Sequence, residues 1–189
     1  KMKPDHIAMY SLTAEEETPF YADIQNGNLP LPNTQIESEM FIQGSRYLRD
    51  CGFNQYEISH FAKKGMECRQ NIHYWKRDPY LAFGPSSHGF DGEKRYWNVT
   101  SLEKYSKILT KNNLPIQDSE VLSSEDILNE IIINGLRTNL GIPTYYFYNS
   151  SDVSIQKWEN YFAKINGSLV LKSEYFHLAD EIIANLMVY

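Results

Sequence analysis

The chain reads as an α/β front joined to a mainly helical back, and three observations predict that division. Strand-like, helical and strand-like runs follow one another between residues 6 and 59. Residues 60–99 then hold no long periodic segment, and from Thr100 onward apolar residues recur at helical spacing.

Taken in order, "HIAMYSL" at 6–12 is predicted to be a buried strand, with Ile7, Met9 and Leu12 on an apolar background. Pro19, Gly27, Pro30 and Pro32 make 13–33 turn-rich. A helix is predicted from Thr34, where Thr34 and Glu37 have capping-box spacing. Ile36, Met40, Phe41, Tyr47 and Leu48 form its apolar stripe, and Gly52 stands where a C′ glycine ends a helix. "QYEIS" at 55–59 follows as a second strand, parallel to the first through a right-handed crossover. Within 60–99, "YLAFG" and "KRYWNV" are short strand-like pieces in an otherwise irregular stretch. An irregular segment of that length is commonly functional, and its aromatic content argues against disorder.

Thr100 and Glu103 cap a helix to about Lys111. A stronger helix is predicted over 124–137, burying Ile127, Leu128, Ile131, Ile132 and Leu136, with Gly141 and Pro143 ending the region. A further helix over 152–164 carries Ile155, Trp158, Tyr161 and Phe162 on its apolar face. "SLVLKS" is a strand and "SEYFHLADEIIANLMV" a closing helix. Helices, a small strand and a last helix suggest a winged-helix-like module.

With 42% hydrophobic and 22% charged residues, the 189-residue chain has the composition of a globular protein. No apolar run approaches the roughly 20 residues of a membrane helix. Lys1–Lys3 is not followed by an apolar core segment, so no secretory leader is expected. A net charge of −6 without a dense basic patch argues against a nucleic-acid partner, winged-helix pattern notwithstanding. Cys51 and Cys68 are the only cysteines and suggest a reducing, cytoplasmic setting. Two thiols cannot supply a four-ligand zinc site or a three-cysteine iron–sulfur site. One βαβ unit is also too little sheet for a doubly wound domain, which suggests part of something longer.

"YEIS", "FAK" and a following glycine at 56–65, "RQNIHYW" at 69–75 and "YLAFGPSSHG" at 80–89 occur in that order. "HIAMYSLTAEEETPF" lies upstream, and "RYWN", "LEKY" and "LNEIIINGLRTNLGI" downstream. Together these motifs resemble the radical SAM haem chaperone family, close relatives of oxygen-independent coproporphyrinogen III oxidase. The resemblance implies a partial (β/α)6 barrel. Residues 1–99 would be its C-terminal part and covering loops, and 100–189 a small, mainly helical, winged-helix-like domain. It also implies S-adenosylmethionine and a [4Fe–4S] cluster held by a CxxxCxxC triad. That triad is absent, and Cys51 and Cys68, seventeen positions apart, cannot replace it. The cluster ligands are therefore expected outside this chain, and the chain alone is expected to be inactive in radical chemistry.

The family's haem-linked pattern is His-Asn-x-x-Tyr, matched here by Gln70, Asn71, Ile72, His73 and Tyr74. An amide is a poorer axial ligand than imidazole, so Gln70 departs from the pattern. His73 is either the substitute imidazole or a hydrogen-bonded loop histidine. His88 matches a family histidine beside a glycine, in a structural or a site role. Tyr56, Glu57 and Ser59 end a barrel strand, where side chains face the active site; Glu57 either accepts hydrogen bonds from ligand or supports the neighbouring loop. Gly84, Pro85 and Ser86 replace a glycine-rich turn that lies near S-adenosylmethionine in relatives. Glycine permits close approach there, while Pro85 removes one donor. Tyr74, Trp75, Tyr80, Phe83, Tyr96 and Trp97 are either a flat wall for a porphyrin or aromatic core.

The resemblance implies a protein that binds haem and transfers it to a recipient. Two alternatives stay open: a porphyrinogen oxidase that converts propionates to vinyls, or a protein-interaction module without ligand. Barrel strands without their neighbours leave an unpaired edge and uncovered apolar surface, which predicts self-association.

Overall fold

The structure is a computed structural model that describes residues 2–146 and 155–187. Its first sheet holds β1 (His6–Ala8), β2 (Asn54–Gln55) and β3 (His60–Ala62) in the order β1-β3-β2. β1 and β2 each pair antiparallel with β3, so Ile7 and Gln55 flank the same Phe61. The first two strands therefore run the same way, as expected, but are not neighbours. The expected strand at 55–59 is cut short because residues 56–59 form the tip of the β2–β3 hairpin. Tyr56 N–H closes that tip on the His60 carbonyl at 3.2 Å.

Two helices separate β1 from β2. α1 (Pro19–Gln25) lies in the turn-rich stretch; Pro19 fits the first turn, and Thr18 Oγ1 accepts from Tyr21 N–H at 3.2 Å. α2 (Thr34–Asp50) is the expected long helix, but its cap is Asn33, whose Oδ1 accepts from Ile36 N–H at 2.9 Å. Gly52, at φ +87°, follows the cap residue Cys51 as anticipated. The buried stripe needs correction: Ile36, Met40 and Tyr47 are 46%, 63% and 68% exposed. Phe41 instead packs toward the main core.

Residues 60–99 are more regular than expected. α3 (Arg69–Trp75), β4 (His88–Phe90) and β5 (Lys94–Asn98) occupy them, and β6 (Ile116–Val121) completes a sheet ordered β4-β5-β6. The β4–β5 turn is set by Asp91 Oδ1, which accepts from Glu93 and Lys94 N–H at 2.9 and 2.7 Å. Of "YLAFG", only Tyr80 is sheet-like, exchanging backbone bonds with Phe90 at 2.8 and 2.9 Å. α4 (Leu102–Leu109) follows, capped by Ser101 rather than Thr100.

α5 (Ser124–Leu136) carries a true capping box between Ser123 and Asp126. It leads into a third sheet ordered β7-β9-β8, from β7 (Ile142–Pro143), β8 (Phe162–Ile165) and β9 (Ser168–Leu171). The helix expected over 152–164 is a correction. Residues 152–154 lie outside the described residues, Gln156–Tyr161 form a 3₁₀ segment, and β8 follows. The closing helix is a 3₁₀ turn, Ser173–Leu178, and then α6 (Ala179–Leu186). The main core lies here: Ile132, Leu136, Ile142, Leu171, Ile182 and Leu186 are fully or almost fully buried. Each such side chain stabilises the fold by about 1.5–3 kcal/mol. Ile58 of the hairpin tip packs against the same cluster.

Candidate functional site

Alternation along β1 sends its two sets of side chains to opposite faces of the sheet. Met9 lies against α2, where a Cβ on Gly44 would come within 2.7 Å of its sulfur. His6 and Tyr10, of opposite parity, meet the hairpin instead. His6 Nε2 shares a 2.8 Å hydrogen bond with Tyr56 Oη, and Tyr10 Oη shares one of 3.0 Å with His60 Nε2. The His6 and His60 ring centroids are 5.2 Å apart, and the Tyr56 and His60 rings stack at 6.1 Å. Two histidines and two tyrosines thus form one connected polar group.

Glu57 anchors that group from beneath. It is 4% exposed; its Oε1 accepts from Ser59 N–H at 3.0 Å and makes an ion-pair contact with His60 Nδ1. Burial pushes the Glu57 carboxyl above its usual range, while His60 and the Ser59 N–H pull it back. Burial, and then the nearby His60, push the His6 imidazole down. Burial also raises the Tyr56 phenol, whose oxygen accepts from Cys68 N–H at 3.3 Å. The tip is fixed by backbone as well. Ile58 N–H donates to the Arg137 carbonyl and Asn139 N–H to the Tyr56 carbonyl, both at 3.0 Å.

Of the residues expected from sequence, Tyr56, Glu57 and Ser59 come together at this tip. Gln70, Asn71, His73 and Tyr74 all lie on α3. Ile72 and Trp75 of that helix line a cavity of about 200 Å³ shared with Tyr56, Thr138 and Leu140. Gln70 and His73 are exposed. His73 Nδ1 is held by Asp78 Oδ2 at 2.6 Å, which leaves Nε2 as the outward nitrogen. Gly84 belongs to a separate loop at φ +97°; its N–H donates to Tyr105 Oη at 2.9 Å, and its carbonyl accepts from Asn98 Nδ2 at 3.0 Å. His88 is exposed on β4, with its ring 5.8 Å from that of Trp97. The aromatic stretch is neither a closed core nor a continuous wall: Phe83 is 78% exposed, and Tyr74 meets Tyr80 edge-on at 4.7 Å. Sequence reasoning gave no role to His6 or Tyr10. The four-residue spacing of His6 and Tyr10 on a predicted strand was the available signal.

No protein-family model matches the chain. The heme chaperone HemW of Bacillus subtilis is 36% identical over 138 residues, which covers 73% of this chain and 36% of that protein. Radical S-adenosyl methionine domain-containing protein 1, mitochondrial, of Mus musculus is 32% identical over 163 residues, covering 82% and 37%. The chain's homologues are thus HemW heme chaperones and radical SAM domain-containing proteins. The chain spans little more than a third of the length of those relatives and corresponds to a C-terminal region of them. A solved structure of Escherichia coli coproporphyrinogen III oxidase, HemN, described as a radical SAM enzyme, shares the fold. That match has a TM-score of 0.68 at 15% identity, over 99% of this chain and 49% of that one.

HemW-type chains as a group imply S-adenosylmethionine and a [4Fe–4S] cluster. The residues present here do not fit the cluster: among the described residues, no three His, Cys, Asp or Glu side chains are grouped to hold a metal. Haem is a different matter, because it needs only one or two axial donors. His73 offers an imidazole oriented by a carboxylate, the arrangement that commonly fixes and strengthens a ligating histidine. No helix among the described residues is long and apolar enough to cross a membrane.

Proposed function

We propose that this chain is the tetrapyrrole-facing part of a haem-handling radical SAM protein that binds haem and passes it to a recipient protein. In this reading residues 1–99 complete the end of a partial (β/α)6 barrel, and 100–189 form a winged-helix-like module. The observation that carries it is the division of the β1-β3-β2 sheet into two faces. One is covered by α2, and the other holds the connected group of His6, Tyr10, Tyr56 and His60. In a barrel the residues that meet a ligand stand at the C-terminal strand ends and the loops that follow, where Tyr10 and Tyr56 lie after β1 and β2. The open edge of β1 is where further strands would join.

S-adenosylmethionine, together with a cluster held by residues outside this chain, would supply radical chemistry. The residues of this chain bind and orient. Asp78 holds His73 so that Nε2 faces outward as an axial donor, with the half-exposed Tyr74 beside it on α3. Gln70, also exposed, stands ready only as a hydrogen-bonding neighbour. A reducing compartment, expected to be the cytoplasm, keeps Cys51 and Cys68 as thiols; both are free.

Haem titrated into the purified chain tests the reading through the Soret band. A shifted band that is lost in His73→Ala and weakened in Asp78→Asn is expected. An unshifted band across the titration would sink it. Decarboxylation of coproporphyrinogen by the chain joined to its cluster-bearing part would favour the oxidase instead.

A further inference from the structure

Away from the hairpin tip, the turn that ends α3 faces α5 and the third sheet across a cleft of about 340 Å³. That volume falls within the roughly 300–1,000 Å³ of small-molecule pockets. Trp75, Tyr145 and Tyr146 give the cleft aromatic walls, and Ile131 and Leu140 add apolar surface. The Tyr145 and Tyr146 ring centroids are 4.1 Å apart. Both charged residues that line it are cations, Lys76 and Arg77, and no carboxylate lines it among the described residues. Lys76 is exposed, whereas the Arg77 side chain is only 18% exposed. A hydrogen bond with Tyr145 and burial raise the Tyr146 phenol, and the Arg77 charge, close enough to act, pulls it back. Glu130 does not cancel that charge. It is one carboxylate between two guanidiniums, Arg77 at 2.7 Å and Arg95 at 2.5 Å, so the trio keeps one net positive charge. Glu130 takes the Nε of Arg77 and leaves the terminal nitrogens of that guanidinium as donors. Acceptors are scarce nearby: Trp75 Nε1 and Arg95 Nε are both buried without a hydrogen-bond partner among the described residues. Buried N–H groups rarely go unpaired in folded proteins.

We infer that this cleft binds a small aromatic carboxylate, its ring against Trp75 and the two tyrosines and its carboxylate on Arg77 and Lys76. A guanidinium holds a carboxylate by paired, charge-assisted hydrogen bonds, which are stronger than neutral ones. The ligand's oxygens supply the acceptors that this part of the protein lacks, and its charge offsets the second guanidinium of the trio. A neutral amide of the same shape brings no charge. A bare anion such as inorganic phosphate gives up its water to walls that return few hydrogen bonds. Binding moves no proton and makes no covalent bond. The outward Nε2 of His73 takes no part, so the site stands whether or not the chain binds haem.

Benzoate is the probe, titrated into this chain and followed by calorimetry and by the indole signals in nitrogen-15 spectra. Saturable binding at one site is expected. The Trp75 Nε1–H signal, identified by its loss in Trp75→Phe, should move as benzoate binds. Benzamide and inorganic phosphate should each bind about tenfold more weakly than benzoate. Lys76→Gln, on an exposed side chain, keeps the fold and weakens benzoate about threefold. Glu130→Gln removes the counter-charge but keeps a hydrogen-bonding side chain, so it should tighten benzoate about threefold, a direction that a purely structural Glu130 would not give. Amide spectra establish that both variants are folded. Absence of saturable benzoate binding overturns the site. Equal binding of benzamide overturns its choice of a carboxylate, and equal binding of phosphate its choice of an aromatic body. A stationary Trp75 signal, or a benzoate affinity unchanged in both Lys76→Gln and Glu130→Gln, puts the ligand elsewhere and overturns it too.

Discussion

Arg77 Nε donates to Glu130 Oε2 at 2.7 Å, joining the turn that ends α3 to the middle of α5. The other oxygen of Glu130 meets Arg95 on β5. Arg77 sits at φ +59°, and its guanidinium lies 5.5 Å from the Phe90 ring centroid. One carboxylate therefore holds α3, β5 and α5 together. The side chains of Arg77 and Glu130 are only 18% and 16% exposed, so solvent screens the pair weakly. Glu130→Ala leaves two arginines without their partner and is expected to cost about 2–4 kcal/mol. Urea unfolding midpoints read that loss, and Glu130→Gln, which keeps hydrogen bonds but no charge, should fall between.

The hairpin tip should mark the pH dependence of stability. Burial raises the Glu57 carboxyl above its ordinary value of 4.5, so folding favours its protonated form. That stability is full below 4.5 and fades as the pH rises through the folded value. His6 has the opposite sign. Burial and His60 lower its imidazole from 6.5, so its stability is full above 6.5 and is lost as the pH falls through the folded value. Unfolding midpoints measured across this range should lose the first slope in Glu57→Gln and the second in His6→Gln.

Gly135 sits inside α5, where alanine is normally better by about 1 kcal/mol. Here the added Cβ would lie 2.6 Å from Ile142 Cγ1 and 2.7 Å from the Gly141 carbonyl oxygen. Backbone cannot yield as a flexible side chain does, so the clash outweighs the helix preference. Gly135→Ala should destabilise by about 1–3 kcal/mol in thermal unfolding.

α2 carries Ile36, Met40 and Tyr47 into solvent, and Met40 adjoins a groove of about 360 Å³ with Leu12 and Leu31. β1, among the described residues, is paired on one edge only. An open strand edge beside uncovered apolar surface favours association. Sedimentation at increasing concentration should show a dimer or larger species, and Met40→Lys should shift it toward monomer.

Sequence pattern revealed elements where one periodicity dominated. α5 was legible because Ile132 and Leu136 recur at helical spacing and are fully buried. α2 was legible through its cap region and Gly52, but its stripe misled, since periodicity reports a face that wants cover and not whether this chain supplies it. Two hairpins were missed despite turn signals. Asn166 and Gly167, at φ +49° and +79°, turn β8 into β9, and Asp91–Gly92 turns β4 into β5. β6 is exposed throughout and has no apolar alternation to read. At the candidate site, their place at a strand end singled out Glu57 and Tyr56 in the sequence. His6 and Tyr10 acquire meaning only when the hairpin folds back beside β1.

The backbone bonds from Ile58 to Arg137 and from Asn139 to Tyr56 make the hairpin tip a passenger of the helix behind it. A shortened chain ending at Asn98 would keep every side chain of the His6–His60 group but lose the brace that sets their spacing. Its amide protons at the tip would then exchange quickly with solvent, as those of a free loop do.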